Sequence, residues 1–510
     1  MLLAKAKIEI KDHRFKDIFE EKDGIYNFKT YIAGKWVDSE DKVLVKSPID
    51  GSIIASVPKL DKKIIDNALD IISSKGKWSI RDLPGEKRLR VFHRVADILE
   101  ELKEEFADVL VVGNGKTKSA AIGEINASIE RLRRSDLDVR KLYGEYIPGD
   151  WSTESLESEA IVRREPLGVV LAITPFNYPL FDAINKLVYS SVAGNAIVLK
   201  PSTLTPLPAI LLARILEISG FPKESLAVFT VPGSEMKEIV KDSRINVISF
   251  TGSSETGKEV IKSGGIKSYI MELGGGDPVI VLDDAEPQFT ASKIVTGITA
   301  YAGQRCDAIK LILSEPKIYD DLKSNLINEI KKIKVGDPRS PETNMGPLIE
   351  EKTAEEFELA IKDAISMGGK VLYGGKRIYG NYVEPTIIEI SKEKVKNTYL
   401  YHKEVFAPIA LLVEVENFEE AIKLSNDRRY GLDAAIFGNN MYKIRKIIRY
   451  LDVGAIYINE YPRHGIGYFP FGGRKDSGIG KEGIGYPIEY VTGYKTIVYN
   501  YKGKGIWEYL

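Results

Sequence analysis

Apolar positions follow two regimes along this chain: helical spacing in the first third, then short unbroken runs. Residues 61–74 and 84–112 read as helices, the second carrying Leu89, Phe92, Val95, Ile98 and Leu99 along one face. Residues 116–142 give a further long helical pattern, and "YIAGKWVD" (31–38) reads as short strand. From residue 168 continuous apolar runs take over: "GVVLAIT" (168–174), "NAIVLK" (195–200), "LAVFTV" (226–231), "NVISFTG" (246–252) and "SYIMELGG" (268–275). Helical patterns at 179–193, 205–219, 233–242 and 255–264 separate them. A strand apolar on both faces is buried on both faces, so strand and helix in turn predict a parallel, doubly wound α/β sheet. Such sheets bind ligands beyond the carboxyl ends of their strands.

A second α/β series runs from "PVIVLDD" (278–284) to about residue 487 and includes "KLILSEP", "AIFGNN" and "GAIYIN". The closing stretch from Tyr490 onward reads as extended strand. The expected division is a dinucleotide-binding domain from residues 1–142 and 166–277, and a catalytic domain from 278–487. Residues 143–165 and 488–510 remain as a small β segment.

Composition narrows the picture. Lys and Arg total 72 against 73 Asp and Glu, a net charge of -1 that gives no general reason to bind nucleic acid or an acidic membrane. The start of the chain lacks the apolar stretch of a signal peptide, and no run reaches the ~18 apolar residues of a spanning helix. One cysteine, Cys306, cannot form an internal disulfide, so a cytoplasmic setting is expected. Dense charge with only two glutamines, Gln288 and Gln304, suits a thermophile.

The strand ends carry the candidate chemistry. Cys306 sits between Arg305 and Asp307, charged surroundings that suit a reactive thiol better than a structural one. Asn177, held between Pro175 and Pro179, is either a turn residue or a rigid donor to an oxyanion. Lys200 ends a buried strand, where a lysine snorkels to water or meets a ligand. Glu272 ends another, as an ordinary exposed acid or as a general base with a raised pKa. Gly252–Lys258 fits G-x-x-x-x-G-K, but Glu259 stands where a phosphate-binding P-loop needs Ser or Thr, and its carboxylate would repel phosphate. A Gly-rich turn opening a helix, with its N–H groups facing a pyrophosphate, is the milder reading.

Together, "REPLGVVLAITPFNYPL", "NAIVLKPS", "ISFTGSSETG", "MELGGGDPVIVLDDA", "YAGQRCDA", "EVFAPI", "YGLDAAIF" and "FPFGGRKDSGIG" resemble the aldehyde dehydrogenase superfamily over nearly the whole chain. The resemblance implies two α/β domains with a β oligomerisation ribbon, and a homotetramer or homodimer. It implies Cys306 as nucleophile, Asn177 with the Cys306 N–H as oxyanion hole, and Glu272 as the base that activates water. It implies a cofactor site with Lys200 at the adenosine ribose, Gly252 and Ser253 at the pyrophosphate, and Glu404 with Phe406 at the nicotinamide ribose. Thr174, Pro175, Phe176, Ser202, Thr203, Gly233, Thr251 and Leu273 complete that site. No metal is expected. The co-occurrence of Cys306, Glu272 and Asn177 argues against a catalytically silent nucleotide-binding protein.

Thr203 stands where NAD-using members commonly carry an acid, so NADP is the expected cofactor, with NAD also accepted. A guanidinium directly before the nucleophile suits an anionic aldehyde. Tyr178, Arg305, Arg463 and His464 form a pattern similar to the non-phosphorylating glyceraldehyde-3-phosphate dehydrogenases. The expected substrate is a phosphorylated aldehyde; a carboxylated one such as succinate semialdehyde is the alternative. Ala127 stands where a further phosphate arginine is expected, with Arg131 and Arg134 nearby as replacements. Arg305 is also expected to favour the Cys306 thiolate.

Overall fold

The structure, a computed structural model, describes residues 5–502; the end of the expected terminal strand, 503–510, lies outside the described residues. Five of the apolar runs become parallel strands: β1 (Val169–Ile173), β2 (Ala196–Lys200), β3 (Leu226–Val228), β4 (Val247–Thr251) and β5 (Ser268–Glu272). β1 and β2 are buried along their whole length, as continuous Val, Ile and Leu runs require when helices cover both faces. The spatial order is β5–β4–β1–β2–β3, with antiparallel Gly478–Ile479 beyond β5 and the hairpin Thr30–Ile32/Lys35–Val37 beyond β3. The winding reverses at β1, whose neighbours β2 and β4 lie on opposite sides. Helices leaving β1 and β4 therefore diverge and open a crevice at the carboxyl ends of those strands.

A second sheet holds β6 (Asp277–Val281), β7 (Ile309–Ser314), β8 (Thr386–Glu389), β9 (Ile409–Glu414), β10 (Asp433–Phe437) and β11 (Ala455–Ile458). Its order is β8–β9–β7–β6–β10–β11, all parallel, with antiparallel Lys370–Tyr373 at one edge. Only Leu273–Gly276 separate β5 from β6. The chain thus passes from the carboxyl edge of one sheet to the amino edge of the other, and the crevice lies along that passage.

Two of the expected helices differ. The 116–142 pattern forms Lys118–Arg133 and then breaks into a single turn at Asp136–Val139. The fold-back lets Arg131 pair with Asp138 at 2.9 Å, both side chains fully buried. The 84–112 pattern splits at Leu102 into Gly85–Glu101 and Lys103–Asn114. Glu145–Ile147, Ser158–Pro166 and Thr492–Asn500 form a separate antiparallel sheet. It leaves Tyr146, Ile147, Ile161, Tyr494, Val498 and Tyr499 exposed. Among the described residues no helix is long and apolar enough to cross a membrane.

Candidate active site

A cleft of about 920 Å³ runs along the passage between the sheets and reaches Cys306, Asn177 and Glu272 together. Cys306 follows a turn in which Tyr301, Ala302 and Gly303 have φ of 49°, 53° and 69°. A left-handed non-glycine costs about 1–3 kcal/mol and persists only where its surroundings fix it. Here side chains take the turn's carbonyls. Gln304 Nε2 donates to Tyr301 O (3.3 Å), Lys310 Nζ to Gly303 O (3.2 Å) and Asn177 Nδ2 to Gln304 O (3.0 Å). Tyr301 Oη donates in turn to Asn114 O at 2.8 Å. Cys306 is therefore placed by its own turn's Gln304, by nearby Lys310 and by two distant residues, Asn114 and Asn177.

Asn177 is buried with Oδ1 unpartnered, and Glu272 is buried with Oε1 unpartnered. Burial first, then the neighbouring Glu482 carboxylate, pushes the Glu272 carboxyl well above its ordinary range. Behind it Lys186 Nζ donates to Glu482 Oε1 (2.6 Å) and Ser249 Oγ (3.0 Å), and Asn185 Nδ2 to Glu482 Oε2 (2.9 Å). These partners were invisible in the sequence because Lys186 and Glu482 lie 296 residues apart.

The charges around Cys306 correct one expectation. Arg305 is buried, and its Nη2 donates to Asp307 Oδ2 (2.7 Å) and to Pro462 O (2.8 Å). Burial, then Asp307, Glu404, Asp277 and Asp433, push the Cys306 thiol well above its ordinary value. Burial dominates, and the Arg305 guanidinium that was expected to favour the thiolate is paired with Asp307. His464 Nε2 meets Asp433 Oδ2 at 2.8 Å and its ring stacks on Phe471 at 4.1 Å. Asp307, Asp433 and His464 bring three ligand-type atoms within 4.8 Å, yet Arg305 and His464 already neutralise both carboxylates.

Tyr178, Arg305, Arg463 and His464 all line the cleft, although Arg463 is exposed and 3.4 Å from Glu460. Arg131 and Arg134 do not line it: Arg131 is locked to Asp138 and Asn185, and Arg134 is exposed on the far side of its helix. Lys116 was not anticipated. Fully buried, it pairs with Glu124 at 2.5 Å and stands 3.9 Å from the Tyr178 ring centroid, lining the cleft beside Arg305. Glu124 Oε1 in turn accepts from Leu180 N and Phe181 N, at the start of the helix after Asn177.

At the other end Thr174, Pro175, Phe176, Lys200, Ser202, Gly233, Thr251, Gly252, Ser253 and Leu273 line the cleft; Thr203 does not. Thr174 Oγ1 and Thr251 Oγ1 are buried without partners, and burial lowers the Lys200 ammonium to about 8. Ser253 caps the helix Ser254–Gly264, whose N–H groups open on the cleft. Glu404 Oε1 accepts from Gly275 N (2.8 Å), burial raises its carboxyl to about 8, and Phe406 packs edge-on against Phe176 at 5.9 Å. Unpartnered hydroxyls, a free ammonium and a helix N-terminus in one cleft fit a dinucleotide.

Residues 36–497 match the aldehyde dehydrogenase family. This chain belongs to that family. It is 35% identical over 473 residues to a lactaldehyde dehydrogenase of Methanocaldococcus jannaschii, covering 92% of this chain and 99% of the relative. An NADP-dependent glyceraldehyde-3-phosphate dehydrogenase of Streptococcus equinus is 34% identical, covering 93% and 98%. A solved NADP-dependent glyceraldehyde-3-phosphate dehydrogenase of Bacillus halodurans, complexed with NADP, superposes with a TM-score of 0.89 at 35% identity, covering 93% and 99%. The aldehyde dehydrogenase fold accounts for both sheets and for the cleft between them.

Proposed function

We propose that this aldehyde dehydrogenase oxidises D-glyceraldehyde 3-phosphate to 3-phosphoglycerate with NADP and without inorganic phosphate. The observation that carries the substrate is Arg305, a buried guanidinium lining the cleft one residue from the nucleophile. Lys116, paired with Glu124, and His464, paired with Asp433, line the same end. Lys200, Thr174, Thr251, Ser253 and Glu404 would hold the cofactor, which when bound accepts a hydride.

In this reading the Cys306 sulfur adds to the aldehyde carbon to give a thiohemiacetal. Asn177 Nδ2 and the Cys306 N–H donate to its oxygen. Loss of hydride from the carbon and of the hydroxyl proton to water leaves a thioester on Cys306. Glu272 takes a proton from water, and the resulting attack releases the acid and the thiol; a raised carboxyl pKa suits a base working near neutrality.

A second reading has its own support. Asp307 cancels the Arg305 charge, and several relatives are lactaldehyde dehydrogenases. Lactaldehyde shares the 2-hydroxyaldehyde unit but carries no charge. A steady-state survey of glyceraldehyde 3-phosphate, lactaldehyde and succinate semialdehyde with NADP and NAD tests both. The expected result is the highest kcat/KM for glyceraldehyde 3-phosphate with NADP. A higher value for lactaldehyde replaces the first reading with the second.

A further inference from the structure

The left-handed turn before Cys306 has three side-chain holders, and one of them reaches the segment after Lys403. Gln304 ties the turn to Pro347 O (3.5 Å) and Ile349 N (2.8 Å), whereas Lys310 Nζ donates both to Gly303 O (3.2 Å) and to Ala407 O (2.6 Å). Ala407 belongs to the segment that carries Glu404 and Phe406, so a single ammonium joins the nucleophile turn to that segment. The two backbones are already in close packing there: a Cβ on Gly303 would collide with the Ala407 carbonyl and lie 2.8 Å from Pro408 Cα. Lys310 itself is fixed, since it is 2% exposed and rises from β7, buried along its whole length.

We propose that Lys310 is a positioning residue for hydride transfer, its ammonium setting the spacing between the turn that presents Cys306 and the segment that presents Glu404. This rests on the reading of Cys306 as nucleophile and of Glu404 as ligand of the nicotinamide ribose. Hydride moves between a carbon bonded to the Cys306 sulfur and a ring placed through Glu404. The two anchors belong to different stretches of chain, and the Lys310 bridge is what keeps them in register. Acylation of Cys306 by an activated ester, followed by hydrolysis, uses only one of these anchors and needs no such register.

The charged groups facing Lys310 agree with a bridge that is charged when the cofactor is in place. Burial lowers its ammonium to about 7, while Glu404, from the segment before β9, and Asp277, at the start of β6, pull it back up. Arg305, from the nucleophile turn, and Arg428, from the loop before β10, oppose them. An ionised Glu404 carboxylate would favour the charged form of the lysine opposite it.

The test compares two rates on the same sample of Lys310→Met, which keeps the apolar stem and removes the donor. One is single-turnover NADPH formation at saturating NADP and aldehyde; the other is cofactor-free hydrolysis of p-nitrophenyl acetate. A misplacement of ~1 Å costs about 100-fold in a step that depends on it. The expected result is a loss of that order in hydride transfer, an isotope effect with aldehyde deuterated at C1, and a loss in ester hydrolysis at least about tenfold smaller than the loss in hydride transfer. Equal loss of both rates assigns Lys310 to general support of the turn and overturns the proposal. Unchanged hydride transfer, or a change confined to NADP affinity, overturns it too. Unfolded protein cancels from the ratio, and if Lys310→Met gives no folded protein, Lys310→Arg is measured instead. That variant keeps the charge but reaches further, so an unchanged ratio is the contrary outcome. Ester hydrolysis surviving in Cys306→Ser would instead indict the nucleophile reading.

Discussion

Asn177 gives one amide hydrogen to the Gln304 carbonyl and lines the cleft, so in the proposed reading it both fixes the turn before Cys306 and offers its other hydrogen to the reacting carbonyl. Asn177→Ala should lower kcat about 100- to 1,000-fold, the usual effect of removing an oxyanion donor, as measured by NADPH formation. His464 makes a prediction about pH. Burial works against its charge, but Asp433 and Asp307 outweigh it and raise its pKa above the usual 6.5. The imidazolium is therefore present below that raised value and lost as pH climbs through it. KM for glyceraldehyde 3-phosphate should rise on that alkaline side, while His464→Gln should show a uniformly higher KM without that limb. A KM flat with pH in the wild type would remove His464 from the anion site. At this scale the sequence was legible in place more than in role: Cys306, Asn177 and Glu272 stand at turns and strand ends and line one cleft, while their roles came from the resemblance. It was illegible where the partner is remote. Nothing near Arg305 announces Pro462, and nothing near Lys186 announces Glu482.

The apolar runs were legible as strands because burial on both faces leaves no polar alternation to confuse them, and β1, β2, β4 and β5 fall within the expected stretches. The helix break after Arg133 was not, since it depends on a buried ion pair across the break rather than on any helix-stopping residue. The short strand Gly478–Ile479 escaped for a different reason: two residues carry no period, and only β5 beside them makes them a strand. The passage between the sheets is the tightest element of the site. A Cβ on Gly275 would collide with the Cys306 carbonyl, and one on Gly274 would sit 2.5 Å from Glu404 Oε2. Gly275→Ala should therefore displace the nucleophile and cut kcat at least tenfold, with a smaller loss in melting temperature, since the strands on either side remain paired. Equal turnover in the variant would show that the passage has slack.

For the whole molecule, the three-stranded sheet presents Tyr146 and Ile161 to solvent on one face and Tyr494 and Val498 on the other. The expected assembly is a homodimer or homotetramer that covers it. Val498→Asp with Tyr494→Asp should shift the sedimentation coefficient toward the monomer, and an unchanged value would place the interface elsewhere. The turn that presents Cys306 carries a consequence for how the protein reaches its active form. Its left-handed backbone is held by Lys310 of the second sheet and by Asn114 and Asn177, which pack with the first sheet and lie 187 and 127 residues from their partners. Each sheet can form from its own strands, but the turn gains its supports only after both have docked. Contacts closing such long loops form late. In refolding, helical and sheet signals should therefore return before the thiol becomes reactive toward aldehyde, so that the catalytic centre is the last part of the molecule to mature.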